Sequence, residues 1–162
     1  MLIEEIKEKA KTKKVIVYSD MDGVLAEYGV GEKPLILANE KDFYLNKRKI
    51  SCAVEKFRML SEIENVEIGI MSNCYFQEQK QDKLLWLEKH CPFIKKENIN
   101  IIVLNDEPHT KETKDYLKIS RLLSINYDKD VDFYLIEDNH NIIGATNKTR
   151  PNTGRHFSEI LD

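Results

Sequence analysis

Short apolar runs alternate with helical patterns along this chain. Four runs carry strand character: Val15 to Tyr18, Val66 to Met71, Ile101 to Leu104, and Val131 to Ile136. Val15, Ile16 and Val17 are β-branched, which suits a strand covered on both faces. Between the runs, apolar residues recur at helical spacing. Leu2, Ile3, Ile6 and Ala10 share one face of a charged N-terminal segment. Cys52 to Ile63 shows the same period, as do Leu84 to Leu87 following Lys80 to Lys83. A further helix is predicted from Thr113 through Tyr116, Leu117, Ile119, Leu122 and Leu123. Strands alternating with helices predict βαβ units, and hence an α/β fold with a doubly wound, mainly parallel sheet.

The pattern breaks between Ala26 and Ser51. Gly29, Gly31 and Pro34 punctuate this stretch, and Phe43, Tyr44 and Leu45 add an apolar cluster. A loop of about 25 residues is long for a compact domain and points to function or mobility. Residues 26–50 are therefore expected to form a small lid after the first strand, within one domain spanning 1–162. The polar stretch Thr146 to Arg155 is expected to wrap the surface before a short last turn, His156 to Leu161.

Composition agrees with one globular domain. The chain has 162 residues, 41% hydrophobic and 33% charged, enough for a real core. A net charge of −3 gives no reason to expect broad electrostatic binding to nucleic acid or to a membrane. Lys47-Arg48-Lys49 is the densest basic cluster and is expected to be a solvated loop. No run approaches the ~18 apolar residues of a membrane span, and the N-terminus lacks the apolar core of a signal peptide. Cys52, Cys74 and Cys91 have no metal-site spacing, so reduced thiols and a cytoplasmic location are expected.

The candidate chemistry lies where the strands end. Asp20 and Asp22 follow the first run directly, in Tyr18-Ser-Asp20-Met-Asp22-Gly23. In open α/β sheets ligands bind at the carboxyl edge. Two close carboxylates repel unless a cation holds them, and Mg²⁺ prefers oxygen ligands. Asp and Gly are also ordinary turn residues, so this stretch alone leaves both readings open. A calcium loop is excluded. Counted from Asp20, position five is Val24 and position twelve is Gly31, where a ligand and a closing Glu are required. The second strand ends in Ser72-Asn73, which with local N–H groups suits phosphate oxygens. The fourth ends in Glu137-Asp138-Asn139. Were its strand a neighbour of the first, Asp138 and Asp20 would share one metal ion. Asp138 or Asn139 is equally suited to capping the helix that follows. Lys111 and Lys114, after the third strand, are each placed to offset the carboxylates and hold a phosphoryl oxygen, with Lys114 the modest favourite.

In order, Asp20-Met-Asp22-Gly-Val-Leu, Ser72, a lysine and Glu137-Asp138 resemble the haloacid dehalogenase superfamily of phosphatases over nearly the whole chain. The resemblance implies that Asp20 is the nucleophile, forming an aspartyl-phosphate, and that Asp22 protonates the leaving group and then activates water. It implies Mg²⁺ held by Asp20, the backbone carbonyl of Asp22 and Asp138, with Glu137 supporting. Ser72 and the lysine would bind the phosphoryl group. The second aspartate argues for phosphoryl transfer over dehalogenation, because a leaving ester oxygen needs a proton.

A closer similarity is to 5′(3′)-deoxyribonucleotidases, carried by Asp20 to Ala26 and by Gln81-Asp-Lys83-Leu-Leu-Trp86-Leu-Glu-Lys-His-Cys-Pro92. That branch has Asp-Asp where this chain has Glu137-Asp138, and a helix-length insertion, about 114–125, lies between the third and fourth motifs here. Trp86, on an amphipathic helix, reads as core. His140 is the histidine expected near the site, and Asn139 and Asn141 are expected to orient Asp138. The function expected is Mg²⁺-dependent phosphomonoester hydrolysis on a small substrate of the (deoxy)nucleotide class. The competing expectations are a macromolecular substrate (a phosphoprotein or a nucleic-acid end), phosphotransfer to a second substrate, and a catalytically silent binding protein.

Overall fold

The computed structural model describes residues 1–28 and 42–162. Among these residues, five strands form one sheet in the order β3-β2-β1-β4-β5, every pair parallel. They are β1 (Lys14–Ser19), β2 (Val66–Cys74), β3 (Ile99–Val103), β4 (Val131–Glu137) and β5 (Gly154–His156). The helices are α1 (Leu2–Ala10), α2 (Ser51–Ser61), α3 (Gln77–His90), α4 (Leu117–Ile125), α5 (His140–Thr149) and α6 (Ser158–Leu161). A 3₁₀ turn, Lys114–Tyr116, leads into α4. This is the doubly wound α/β architecture expected. None of the described helices is long and apolar enough to cross a membrane.

Strand alternation sorts the core into two layers. Val15 and Val17 face one way with Ile68, Ile70 and Ile136, and pack against Leu2, Ile6, Phe57, Leu60, Trp86 and Ile160. Ile16 and Tyr18 face the other way with Met71, Phe133 and Leu135, and pack against Ile119, Leu122 and Ile142. So α1, α2, α3 and α6 cover one face, and α4 and α5 the other. Burial on both faces explains why the first, second and fourth strands read as continuous apolar runs.

Two elements differ from expectation. Residues 154–156, where the surface wrap was expected to end at Arg155 and the last turn to begin at His156, instead form β5 beside β4. A three-residue edge strand without an apolar run leaves no periodic signal to read. The expected lid falls for residues 29–41 outside the described residues. What is described is its base: Ala26 bridges Lys49, Glu27 N–H donates to the Arg48 carbonyl (2.9 Å), and Ile50 N–H donates to the Leu25 carbonyl (2.7 Å). These paired arms return Lys47 to the sheet edge.

Candidate active site

Register sets the site. Ser19 of β1 pairs with Ile136 of β4, so Asp20 and Glu137 leave adjacent strands at the same level. Asp20 N–H donates to the Ile136 carbonyl at 2.9 Å. One carboxylate oxygen from each of Asp20, Glu137 and Asp138 fits within a 4.8 Å cluster. The strands are neighbours, the condition under which Asp20 and Asp138 were expected to share an ion.

The cation that balances this cluster is Lys118. Its Nζ lies 3.0 Å from Asp20 Oδ1 and also donates to Glu137 Oε1. Burial alone would lower the Lys118 ammonium, but the Asp20 and Glu137 charges outweigh it and hold the group above its ordinary value. Burial and the charge of Asp20 push the Glu137 carboxyl up, against the pull of Lys118. Of the lysines expected here, Lys114 lines the cavity and Lys111 sits in an exposed turn. Lys118 lies one helical turn beyond Lys114. Its sequence signal was a lysine beside the buried positions Ile119 and Leu122 of a helix expected to be amphipathic.

Asp22 faces a second basic group. Lys83 Nζ donates to Asp22 Oδ2 (2.8 Å), Ser72 Oγ (2.9 Å) and the Asn73 carbonyl (2.8 Å). Lys47 Nζ donates to Asp22 Oδ1. Burial would raise the Asp22 carboxyl, yet Lys83 and Lys47 together hold it below the ordinary range. The Lys47 ammonium is itself lowered, because its burial outweighs the pull of Asp22. The solvated loop expected at residues 47–49 is corrected at Lys47. Its side chain is buried, its carbonyl accepts Trp86 Nε1–H at 2.9 Å, and its ammonium lies over the Phe43 and Tyr44 rings.

Lys83 shows how α3 is divided. Its buried residues are Gln79, Lys83, Trp86 and Leu87, a single helical face. The helix starts at the carboxyl edge of the sheet, so the first part of that face meets polar groups and the last meets core. Gln79 Oε1 accepts the Tyr75 and Phe76 N–H groups and seals the helix start. Trp86 is a core residue, as expected.

The remaining candidates divide similarly. Asn73 lines the cavity, with Oδ1 buried and no hydrogen-bond partner among the described residues. Ser72 is fully buried and its hydroxyl is taken by Lys83. Asn139 accepts the Asn141 and Ile142 N–H groups, so it caps α5, while Asn141 is exposed. His140 stacks on His156 at a 5.2 Å ring separation. Cys52, Cys74 and Cys91 are all free thiols.

The cavity holds about 540 Å³ and is lined by Asp20, Asp22, Lys47, Asn73, Lys118 and Asp138, with Tyr28, Phe43, Tyr44 and Tyr75 among its aromatic residues. Glu137 Oε2 and Asp138 Oδ1 are both buried, without a hydrogen-bond partner among the described residues. Buried carboxylate oxygens are costly unless something cationic meets them. An all-oxygen donor set suits a hard divalent ion such as Mg²⁺. The residues present therefore fit that ion.

No protein-family model and no curated protein matches the chain. Solved structures do. A chain of the Pnkp1/Rnl/Hen1 RNA repair complex superposes with a TM-score of 0.67 at 12% identity, covering 90% of this chain and 42% of that one. This chain thus spans less than half the length of that neighbour. A protein from Burkholderia xenovorans LB400, described as a haloacid dehalogenase-like hydrolase, superposes with a TM-score of 0.54 at 10% identity, covering 89% of this chain and 81% of that one. The HAD domain of the effector Lem4 from Legionella pneumophila gives a TM-score of 0.49 at 17% identity, with 88% and 85% covered. At these identities the likeness is one of fold: an all-parallel, doubly wound α/β sheet of the kind found in haloacid dehalogenase-like hydrolases.

Proposed function

We propose that this protein is a Mg²⁺-dependent phosphomonoester hydrolase that works through a covalent phosphate on Asp20. One observation carries the reading. Asp20 ends the central strand inside the cavity, with Lys118 on its Oδ1 and Glu137 and Asp138 beside it from the neighbouring strand. Asp20, Asp138 and the backbone carbonyl of Asp22, with Glu137 in support, would hold Mg²⁺. When bound, that ion neutralises charge on the phosphoryl oxygens.

The chain's own groups then have distinct tasks. A carboxylate oxygen of Asp20 attacks phosphorus, the ester P–O bond breaks, and Asp22 delivers a proton to the leaving oxygen. Water then attacks the aspartyl-phosphate while Asp22 takes its proton. The acyl P–O bond breaks, returning Asp20 and releasing inorganic phosphate. The first half needs Asp22 protonated and the second needs its carboxylate, the form that Lys83 and Lys47 favour. Lys118 offsets charge at the nucleophile and the transferring group. Asn73 lines the cavity, and we assign its side-chain amide N–H, with Ser72 behind it, to the phosphoryl seat.

The substrate we propose is a small phosphomonoester of the (deoxy)nucleotide class. The competing substrate is a phosphate on a macromolecule, such as a nucleic-acid end; one neighbour in fold comes from an RNA repair complex. The test is phosphate release, with and without Mg²⁺, from 5′- and 3′-nucleotides, sugar phosphates and a 3′-phosphorylated oligonucleotide. Mg²⁺-dependent release that Asp20→Asn abolishes is the expected result. Turnover confined to the oligonucleotide replaces the substrate and keeps the chemistry. Near-normal release by Asp20→Asn removes Asp20 as the nucleophile.

A further inference from the structure

Asp138 uses its two oxygens differently. Oδ2 accepts a hydrogen bond from the Tyr28 hydroxyl, which reaches back from the far side of the turn after β1. Oδ1 is buried and has no partner among the described residues. Asp138 belongs to the cluster with Asp20 and Glu137, whose Oε2 is likewise buried and unpartnered among the described residues.

The turn is shaped to allow this contact. Gly23 has φ +81, and a Cβ there would overlap Asp138 Oδ2 and stand 2.6 Å from the Tyr28 ring. Gly23 N–H donates to the Ala26 carbonyl at 2.8 Å, which closes the turn and aims the chain at Tyr28. The hydroxyl therefore meets the carboxylate through a gap that a side chain at position 23 would fill.

We propose that Tyr28 is a positioning residue for the divalent cation: by holding Asp138 Oδ2, it turns Oδ1 toward the ion. This rests on reading the cluster as the cation site of a phosphatase. Carboxylate ligands are commonly oriented by such an outer hydrogen bond, and losing one weakens metal affinity by roughly 10–100-fold. Tyrosine suits the task, since its ring is stiff and its hydroxyl has one proton to give. The opposite role is a plug: Tyr28 lines the same cavity, and its hydroxyl would then compete with the ion for Asp138.

The two roles predict opposite signs. Mn²⁺ binding to the full chain is measured by titration calorimetry, with wild type, Tyr28→Phe and Tyr28→Ala compared. Weaker Mn²⁺ binding by about tenfold or more in both variants is expected, with an unchanged fold by circular dichroism. Excess Mg²⁺ should then restore the Tyr28→Phe phosphatase rate. Equal or tighter Mn²⁺ binding by Tyr28→Phe overturns the proposal while leaving the cation site standing. A wild-type chain that binds neither Mn²⁺ nor Mg²⁺ overturns both.

Discussion

Lys118 Nζ sits 3.0 Å from Asp20 Oδ1 and is the cation that Asp20 and Glu137 share. Its side chain is almost wholly buried, as is that of Glu137. Removing one partner of such a cluster leaves uncompensated charge and costs about 3–5 kcal/mol. Lys118→Met should therefore lose about that much stability in urea denaturation without divalent ions. The loss should depend on pH with a definite sign. Burial and Asp20 already raise the Glu137 carboxyl above 4.5, against the pull of Lys118, and losing the lysine raises it further. Wild type and variant both hold a proton that the unfolded chain releases near pH 4.5, so both lose stability in parallel from there to about 8, where the wild-type carboxyl titrates. The variant goes on losing stability beyond that point, so Lys118→Met should be hurt more at about pH 9 than at about pH 6. A pH-independent loss would show that Lys118 acts by packing alone.

The same lysine separates the three candidates for the phosphoryl-binding cation. If the proposed chemistry holds, Lys118→Met should lower kcat by roughly 10²–10³-fold, the scale seen when one charge-stabilising group is removed. Lys111 is exposed, and Lys111→Ala should stay within about twofold of wild type, as surface changes usually do. Lys114→Ala should fall between them and act mainly on KM, because Lys114 lines the cavity without an ion pair to the carboxylates among the described residues. Steady-state kinetics on one substrate ranks all three. A larger kcat loss at Lys114 than at Lys118 would contradict this geometry.

Lys83 joins three acceptors from two strand ends while itself fully buried. Methionine has nearly its length but no proton to offer. Lys83→Met would leave the Ser72 hydroxyl and the Asn73 carbonyl short of a donor and Asp22 with Lys47 alone. A loss of about 3 kcal/mol or more is expected. Exposed Lys89, on the same helix, is the control, and Lys89→Met should change stability by less than about 0.5 kcal/mol. Urea denaturation followed by far-ultraviolet circular dichroism reads both.

How much of this was legible in the residues follows from where each signal lives. The strands that lead into Asp20 and carry Ser72 and Glu137 near their ends are apolar runs because both sheet faces are covered, so the sheet and its carboxyl edge could be read directly. The cationic half of the site could not. Lys118 and Lys83 lie within helices, and a lysine in a charged helix looks like solvated surface. Only their spacing marks them: Lys83 is one turn from Leu87, and Lys118 one turn from Leu122, on faces that turn out to be buried. Lys47 carried no periodic signal at all. Its burial follows from the pairing of residues 26–27 with 48–49, which brings together positions more than 20 residues apart.

Away from the site, Glu67 provides a pH handle on the opposite edge. Although partly buried, it is held by Lys14, Lys95 and Asn98, which together bring its carboxyl down from 4.5 to about 2. A depressed carboxylate stabilises the fold above its unfolded value, and this contribution is lost as pH falls through the folded value. Both lysines are well exposed, so solvent screening limits the effect to about 1 kcal/mol. Glu67→Gln should therefore be less stable than wild type by about that amount at pH 7. The gap should close between about 4.5 and about 2. Thermal melts across that range test it, and a gap that persists at the acid end would assign the effect to packing.

Gly23 makes the sharpest demand on the turn between Asp22 and Asp138. Its φ of +81 lies where an L side chain is strained, at a cost of about 1–3 kcal/mol. The added methyl would also press on Asp138 and on the Tyr28 ring. Strain alone would lower stability and leave ligand geometry intact. Displacement of Asp138 would also weaken the proposed cation site, since Asp138 and Asp20 belong to one cluster. Gly23→Ala is therefore expected to lower the urea midpoint and also to weaken Mn²⁺ binding, measured by calorimetry where the variant is fully folded. Because the methyl breaks the Tyr28 contact, adding Tyr28→Phe to Gly23→Ala should weaken Mn²⁺ binding little further, far less than the two single losses combined. Full additivity of the two changes would mean that Gly23 and Tyr28 act on Asp138 independently, contrary to their shared contact.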